Sequence, residues 1–422
     1  MKRILYFSVA LFLSSCLSEK NAEPGKPATF VRYFNGGNND FAQVAEETSD
    51  GDIIILGTTK TSVANADSSK IKLIKTDRYG STLYQKVYPA FGNETTPTSI
   101  TLAGNALLKL PSGGFVVAGT EISATRKDLY LMEVNSDLEP VSDAVRVGKK
   151  INFAAFDPTI TQSVQAKAIQ FNKDANNVDT YLVLASVEAD TYNMLLAEIN
   201  KTTFAINWVK KYGAGTSSLD SKIFLDATSP IPNNVYWSGT VTRNSTDIRL
   251  VKTAQNSSNT IFDLPIGKPE FREEGRDMCQ YGLGFVVVGN SNESGNQDIL
   301  FKVLTANGTE LFSRTIQGFG EKVYGDTDTG NAVCATSNGF VVLGSVRSVR
   351  DKGQDDYFLM KYDGFGNDAW PEPQIFGSTT RNDTGASVRQ LSDGSLLVLG
   401  TTVFGGVNTM MLMKANSQGK FE

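Results

Sequence analysis

The stretch Ser49-Asp50-Gly51-Asp52-Ile53-Ile54-Ile55-Leu56-Gly57 decides the fold: a polar turn, four aliphatic residues and a closing glycine. So short an apolar run between glycines, rich in β-branched residues, reads as a buried strand. The cassette returns as Gly114-Phe-Val-Val-Ala-Gly119, Tyr181-Leu-Val-Leu-Ala-Ser186, Val235-Tyr-Trp-Ser-Gly239, Phe285-Val-Val-Val-Gly289, Phe340-Val-Val-Leu-Gly344 and Leu396-Leu-Val-Leu-Gly400. Its closing small residues sit at 57, 119, 186, 239, 289, 344 and 400, in steps of 50 to 67 residues. That is the spacing of a propeller blade rather than of a helical repeat.

Around each cassette the other strands of a blade can be read. A third strand follows, as in Lys70–Lys75 (KIKLIK), Asp128–Glu133 (DLYLME), Asp247–Lys252 (DIRLVK), Asp298–Lys302 (DILFK) and Asp356–Lys361 (DYFLMK). Turns such as Asp77-Arg78-Tyr79-Gly80 lead to a fourth strand, clearest at Ala205–Gly213 (AINWVKKYG), and a first strand such as Ala386–Leu391 (ASVRQL) precedes the cassette. Seven units of four antiparallel strands predict an all-β chain folded as a seven-bladed β-propeller.

The ends bear on closure. The last unit stops at Asn416–Glu422, directly after its third strand, while Thr29–Gly37 (TFVRYFNGG) has the aromatic-basic-aromatic-glycine pattern of a fourth strand. Pairing the two closes the ring and removes open edges. The competing readings are a degenerate eighth blade and an unclosed solenoid.

Composition excludes several chemistries. The 422 residues contain no histidine, so Ser/His/Asp and Cys/His catalysis and His-ligated metals are ruled out. A net charge of -5 argues against a nucleic-acid partner. The N-terminus carries a localisation signal: Met1-Lys2-Arg3, an apolar run from Ile4 to Leu13, then Leu13-Ser14-Ser15-Cys16. This is the order of a secretory signal peptide, and the apolar run is too short to span a bilayer. The Leu-Ser-Ser-Cys run resembles a bacterial lipobox, which makes Cys16 the expected lipidation site. The alternative is an ordinary cleaved signal with an incidental cysteine. The expected organisation is a signal peptide over 1–15, a lipidated tether over 16–28 and a single propeller over 29–422, with 29–37 as the closing strand.

The combination of a DGG-like turn, FVVAG-like strand, D-x-Y-L-x-K strand, D-x-x-G turn and W-x-K-x-Y-G strand resembles the repeat of secreted and surface β-propeller lipoproteins of Bacteroidota. The resemblance covers nearly all of the chain after the tether. It implies a lipid-anchored protein of the outer membrane exposed at the cell surface, and it brings no catalytic motif. Glu19, soon after Cys16, fits surface export. Units three and four depart from the pattern, where Phe171–Thr180 and Ala227–Asn234 replace the tight turn.

Candidate chemistry is sparse. The aspartates that open third strands (Asp128, Asp247, Asp298, Asp356) sit where each would cap its own turn, and no segment reproduces a calcium loop. Cys279 and Cys334 occupy equivalent first-strand positions of neighbouring blades and are expected as buried thiols. Trp208 and Trp370 are placed on fourth strands and Trp237 on a second strand, all as core. No metal or cofactor is expected.

The second-to-third hairpins and the blade-to-blade connections vary most, and both open on one face of a propeller. On that face the candidate partner-binding residues are Phe153 and Phe156, Arg347 and Arg350, and Phe404. The expectation is a protein that is not an enzyme and acts as a protein-binding or scaffold module, possible partners being components of an outer-membrane complex. The other expectation is a propeller that binds or hydrolyses glycans with carboxylates, which needs no histidine.

Overall fold

The computed structural model describes residues 28–63, 66–88, 101–141, 148–188, 192–213, 222–225, 234–242, 245–254, 259–316, 327–347, 354–377 and 381–421. The signal peptide, Cys16, nearly all of the tether, Arg350 and residues 227–233 lie outside them.

Seven four-stranded antiparallel sheets make a seven-bladed β-propeller. Blade 1 is Asn39–Glu47, Ile53–Val63, Ala66–Thr76 and Thr82–Tyr88; blade 2 is Thr101–Lys109, Phe115–Ile122, Lys127–Val134 and Lys149–Ile151. Blade 3 is Val164–Lys173, Asp179–Val187, Tyr192–Asn200 and Ile206–Gly213; blade 4 is Ile223–Leu225, Asn234–Thr242, Thr246–Ala254 and Thr260–Ile266. Blade 5 is Glu273–Tyr281, Gly284–Ser291, Asp298–Thr305 and Glu310–Ile316; blade 6 is Thr329–Thr336, Gly339–Arg347, Asp355–Tyr362 and Gln374–Phe376. Blade 7 runs Thr384–Gln390, Leu396–Phe404 and Val407–Ala415, and its outer strand is Phe30–Phe34 from the other end of the chain. That strand pairs Phe30 with Lys414 and Phe34 with Met410, so the N-terminal segment closes the ring.

The glycine that ends each cassette has a steric cause. On the first strand of six blades one extra residue forms a bulge, between Ala42 and Val44, Gly104 and Ala106, Ala166 and Ala168, Gly275 and Asp277, Gly330 and Ala332, and Gly385 and Ser387. The bulge pushes a first-strand carbonyl onto the facing residue of the second strand. A Cβ at Gly289 would lie 1.7 Å from Glu274 O, and one at Gly119 would lie 2.6 Å from Ala103 O. In blade 3 the register puts Ala185, not Ser186, at this position, opposite Ala166.

The residue after that glycine latches the next blade. The backbone N–H of Gly104 donates to Thr58 Oγ1 at 3.0 Å and that of Ala166 to Thr120 Oγ1 at 3.2 Å. Gly275 donates to Thr240 Oγ1 at 3.2 Å, Gly330 to Asn290 Oδ1 at 3.0 Å and Gly385 to Ser345 Oγ at 3.3 Å. Each donor is the residue just before a bulge, whose N–H is turned toward the neighbouring blade and takes a side-chain oxygen there. The cassette is therefore a glycine for close approach followed by a hydroxyl or amide for inter-blade bonding.

Turns on the opposite face explain the D-x-x-G pattern. The Oδ1 atoms of Asp77, Asn135, Asp363 and Asn416 each accept from the N–H groups two and four residues on. The fourth residue takes a left-handed backbone, φ 79° at Gly80, which favours glycine.

Between blades the core is almost wholly aliphatic and aromatic. Cys279 and Cys334 are buried free thiols in the cluster shared by blades 5, 6 and 7. Burial pushes Cys334 up to about 12 and raises Cys279 as well. Trp208 and Trp237 take the expected strands, whereas Trp370 is buried ahead of its outer strand and packs on Gly419.

Candidate functional site on the loop face of blades 6 and 7

The second-to-third hairpins and the blade connections share one face, and there the structure gathers two of the expected residues with two others. Arg347 ends the second strand of blade 6 opposite Asp355, and Phe404 ends that of blade 7 opposite Val407. The Phe404 hairpin turns on Gly405 and Gly406, with φ 64° and 86°, so that a two-residue loop needs positive φ at both places.

These two positions are joined across the blade boundary. Arg347 Nε donates to Asp355 Oδ1 at 3.1 Å, and its backbone N–H donates to Asp328 Oδ1 at 3.0 Å. The carbonyl of Asp355 accepts from Asp383 N at 2.7 Å, and Asn382 Oδ1 accepts from Asp355 N at 3.1 Å. Two residues before Asp383, Arg381 donates from Nη1 to Val403 O and sets its guanidinium over the Phe404 ring, 6.0 Å from the centroid. Tyr33, on the closing strand, stacks on Phe404 with centroids 5.1 Å apart and planes at 23°. Tyr33 is 49% exposed and Phe404 47%. A column of half-buried guanidinium and exposed phenyl and phenol thus spans the seam at which the chain closes on itself.

The other expected residues part company. Phe153 and Phe156 belong to one helical turn, Phe153–Phe156, capped by Asn152 Oδ1 on Ala155 N. Phe156 is 47% exposed, but Phe153 is 1% exposed and fills the core between blades 2 and 3 beside Ile151, Ile160 and Tyr192. The expectation that Phe153 meets a partner is therefore corrected: the core takes Phe153 and leaves Phe156 out, and four residues carry no periodicity to say which. Asp157 ends this turn and ion-pairs with Lys211 at 2.7 Å. Hydrogen bonds from Lys211 and from Thr159 hold its carboxyl down at about 2. Arg350 lies outside the described residues. Tyr33 and Arg381 escaped sequence reading, because one looked like part of a strand and the other like an ordinary connection.

Acidic side chains recur from blade to blade below this face. Asp40, Glu273, Asp328 and Asp383 hold matching positions at the start of first strands and are buried. Three of the four third-strand aspartates are fixed by residues just before them: Ser245 Oγ donates to Asp247 at 3.0 Å, Ser294 to Asp298, and Arg126 ion-pairs with Asp128 at 2.5 Å. Asp247 and Glu273 both reach the space over Gly267, where a Cβ would lie 2.2 Å from Asp247 Oδ1 and 3.0 Å from Glu273 Oε2. Burial raises the pKa of Glu273, against the opposing pull of Lys302, whose Nζ is 3.1 Å from Glu273 and 2.9 Å from Glu310. Among the described residues no group of three or more Cys, Asp or Glu is arranged to hold a metal ion.

No protein-family model and no curated protein matches the chain. Its similarities are to solved structures. A protein of unknown function from Dyadobacter fermentans is 12% identical, over 93% of this chain and 99% of the other, with a TM-score of 0.49. An α-L-arabinanase from Penicillium chrysogenum, solved with arabinobiose, is 11% identical over 93% and 98%, with a TM-score of 0.49. The polysaccharide lyase Uly1 is 9% identical over 94% of both chains, with a TM-score of 0.50. The shared feature is the propeller fold.

The expectation that this protein is not an enzyme is corrected: the polysaccharide lyase Uly1 has the same propeller fold, so the fold does not set catalysis aside.

Proposed function

We propose that the chain is a cell-envelope lipoprotein, anchored through Cys16, whose loop face at blades 6 and 7 captures a protein partner in the outer membrane. The observation that carries this reading is the Arg381–Phe404–Tyr33 column, whose two aromatic rings are exposed on a rigid scaffold. Aromatic and arginine side chains supply most of the binding energy at protein interfaces, and here they are fixed before any partner arrives. Lipid attached at Cys16 holds the propeller at a membrane surface, since acyl chains contribute affinity with every buried methylene.

The test is a crosslinking footprint taken on detergent-solubilised outer membrane. Crosslinks on Phe404, Tyr33 and their surroundings support the reading. Crosslinks around Asp50, Asn307 and Asp393, on the opposite face, overturn it. For the anchor, Cys16→Ser abolishes fatty-acid labelling; labelling that persists removes the lipobox.

A second reading, a glycan-active propeller, is favoured by Asp247 and Glu273 converging over Gly267. Its test is digestion of a panel of neutral and acidic polysaccharides by the parent and by Glu273→Gln, with loss of product in the variant as the expected result.

A further inference from the structure

We infer that the Arg381–Phe404–Tyr33 column recognises the carboxylates of an acidic segment in the protein partner. This rests on the partner-binding reading above and gives that partner its chemistry.

The argument begins with what the column has left to offer. Phe404 already carries Tyr33 stacked on its ring and Arg381 lying over it, so what it turns to solvent is chiefly its edge. The edge of an aromatic ring is the positive end of its quadrupole, and the face is the negative end. Arg381 spends Nη1 on the Val403 carbonyl, which leaves further donors of a guanidinium that has five. The ion pairs among the described residues take up its neighbour Arg347, through Asp355, and leave Arg381 out. Ring edge and guanidinium therefore present the same sign at one spot, on a chain whose net charge is -5.

Two consequences narrow the ligand. A sugar ring binds an aromatic side chain by lying on its open face, and at Phe404 that approach is already contested by Tyr33 and Arg381. A carboxylate needs only the edge and the fork of N–H donors, and a guanidinium pairs with it in planar, bidentate geometry. An acidic segment is repelled by the protein as a whole, while the carboxylates nearest the column are already engaged, Asp355 by Arg347 Nε and Asp328 by the Arg347 N–H, so the unspent donors of Arg381 set where it docks.

The experiment is a fluorescence-anisotropy titration of the propeller with labelled hexaglutamate at low salt, with labelled oligogalacturonate and hexalysine as comparison probes. Hexaglutamate is expected to bind saturably and to lose affinity as salt rises. Arg381→Gln should weaken it about tenfold, and Phe404→Leu should weaken it several-fold by loosening the guanidinium. Arg78→Gln, on the opposite face, should leave it unchanged. Arg381→Lys keeps the charge and loses the fork, so it should fall between the parent and Arg381→Gln. Absence of hexaglutamate binding by the parent, or equal binding by a folded Arg381→Gln variant, overturns the inference. Binding of oligogalacturonate alone also overturns it and makes the ligand an acidic glycan. The two readings fail separately: a footprint on the opposite face removes the partner site itself, whereas a loop-face footprint indifferent to Arg381→Gln removes only the acidic chemistry.

Discussion

Thr401 Oγ1 accepts a hydrogen bond from the backbone N–H of Ala42 at 2.9 Å, across 359 residues of sequence. It is the same latch that Thr58 makes to Gly104 and Thr240 to Gly275 between adjacent blades, used here to bind the last blade to the first. Ring closure thus rests on the borrowed outer strand Phe30–Phe34, on this inner bond, and on side-chain links such as the Arg389–Glu46 ion pair at 3.0 Å and the bond from Ser392 N to Glu47 at 2.8 Å.

Removing the Thr401 hydroxyl leaves the Ala42 N–H without its acceptor. Thr401→Val should cost about 1 kcal/mol, and Thr401→Ser should recover most of it, since Ser keeps the oxygen. Equilibrium urea unfolding of the three proteins checks this, and equal midpoints for Thr401→Val and the parent contradict it.

Deleting residues 29–37 strips the third strand Val407–Ala415 of its ladder partner and uncovers the sites of Phe30 and Phe34. Losing those two side chains alone should destabilise by roughly 3–6 kcal/mol. The bare edge should also recruit other chains. Light scattering is expected to find oligomers, and a monomer that melts like the parent refutes the closing role.

Gly289→Ala forces a Cβ onto the Glu274 carbonyl and should cost about 3 kcal/mol, at the upper end of overpacking. Blade 3 already accepts alanine at the matching Ala185, so Ala185→Gly should be far milder. Thermal melts of the two variants compare them directly.

Asp157 titrates at about 2 in the fold against an ordinary 3.8, because Lys211 and Thr159 hydrogen-bond its charged form. A lowered carboxyl pKa contributes stability that is present above the unfolded value and lost as pH falls through the folded one. Asp157→Asn should therefore loosen the Phe153–Phe156 turn at neutral pH, and its difference from the parent should close between about pH 4 and pH 2. Hydrogen exchange across residues 150–163 reads the effect, and a difference constant with pH contradicts it.

In a Cys16→Ser background, burial should keep Cys279 and Cys334 protonated at pH 8 and out of reach of a thiol reagent. Both should react promptly once the protein is unfolded. Fast labelling of the native protein would mean that the seams among blades 5, 6 and 7 open readily.

The blade pattern was legible because a propeller repeats one local problem seven times. Each second strand needs its run of buried aliphatic residues, its closing glycine where the bulged first strand presses a carbonyl on the chain, and an oxygen next to it for the neighbouring blade. Asp77 and Asp363 could be assigned to turns for the same reason, since their bonding partners lie within four residues. Even the closing strand declared itself, because Thr29–Gly37 carries a pattern that the last unit lacks.

Sequence by itself determined the strands, their number per blade and the order that closes the ring, all of which follow from hydrophobic runs, turn residues and short-range hydrogen bonds. Tertiary structure alone decided which surface residues meet. Nothing near Tyr33 announces Phe404, and nothing near Arg381 tells that its guanidinium will lie over that ring; Phe153 and Phe156 look alike until one of them is buried. The physical reason is separation along the chain: loop side chains obey no repeat, and their neighbours are set by how blades are arranged around the ring, so a pairing across 371 residues such as Tyr33 with Phe404 is written only in the closed fold.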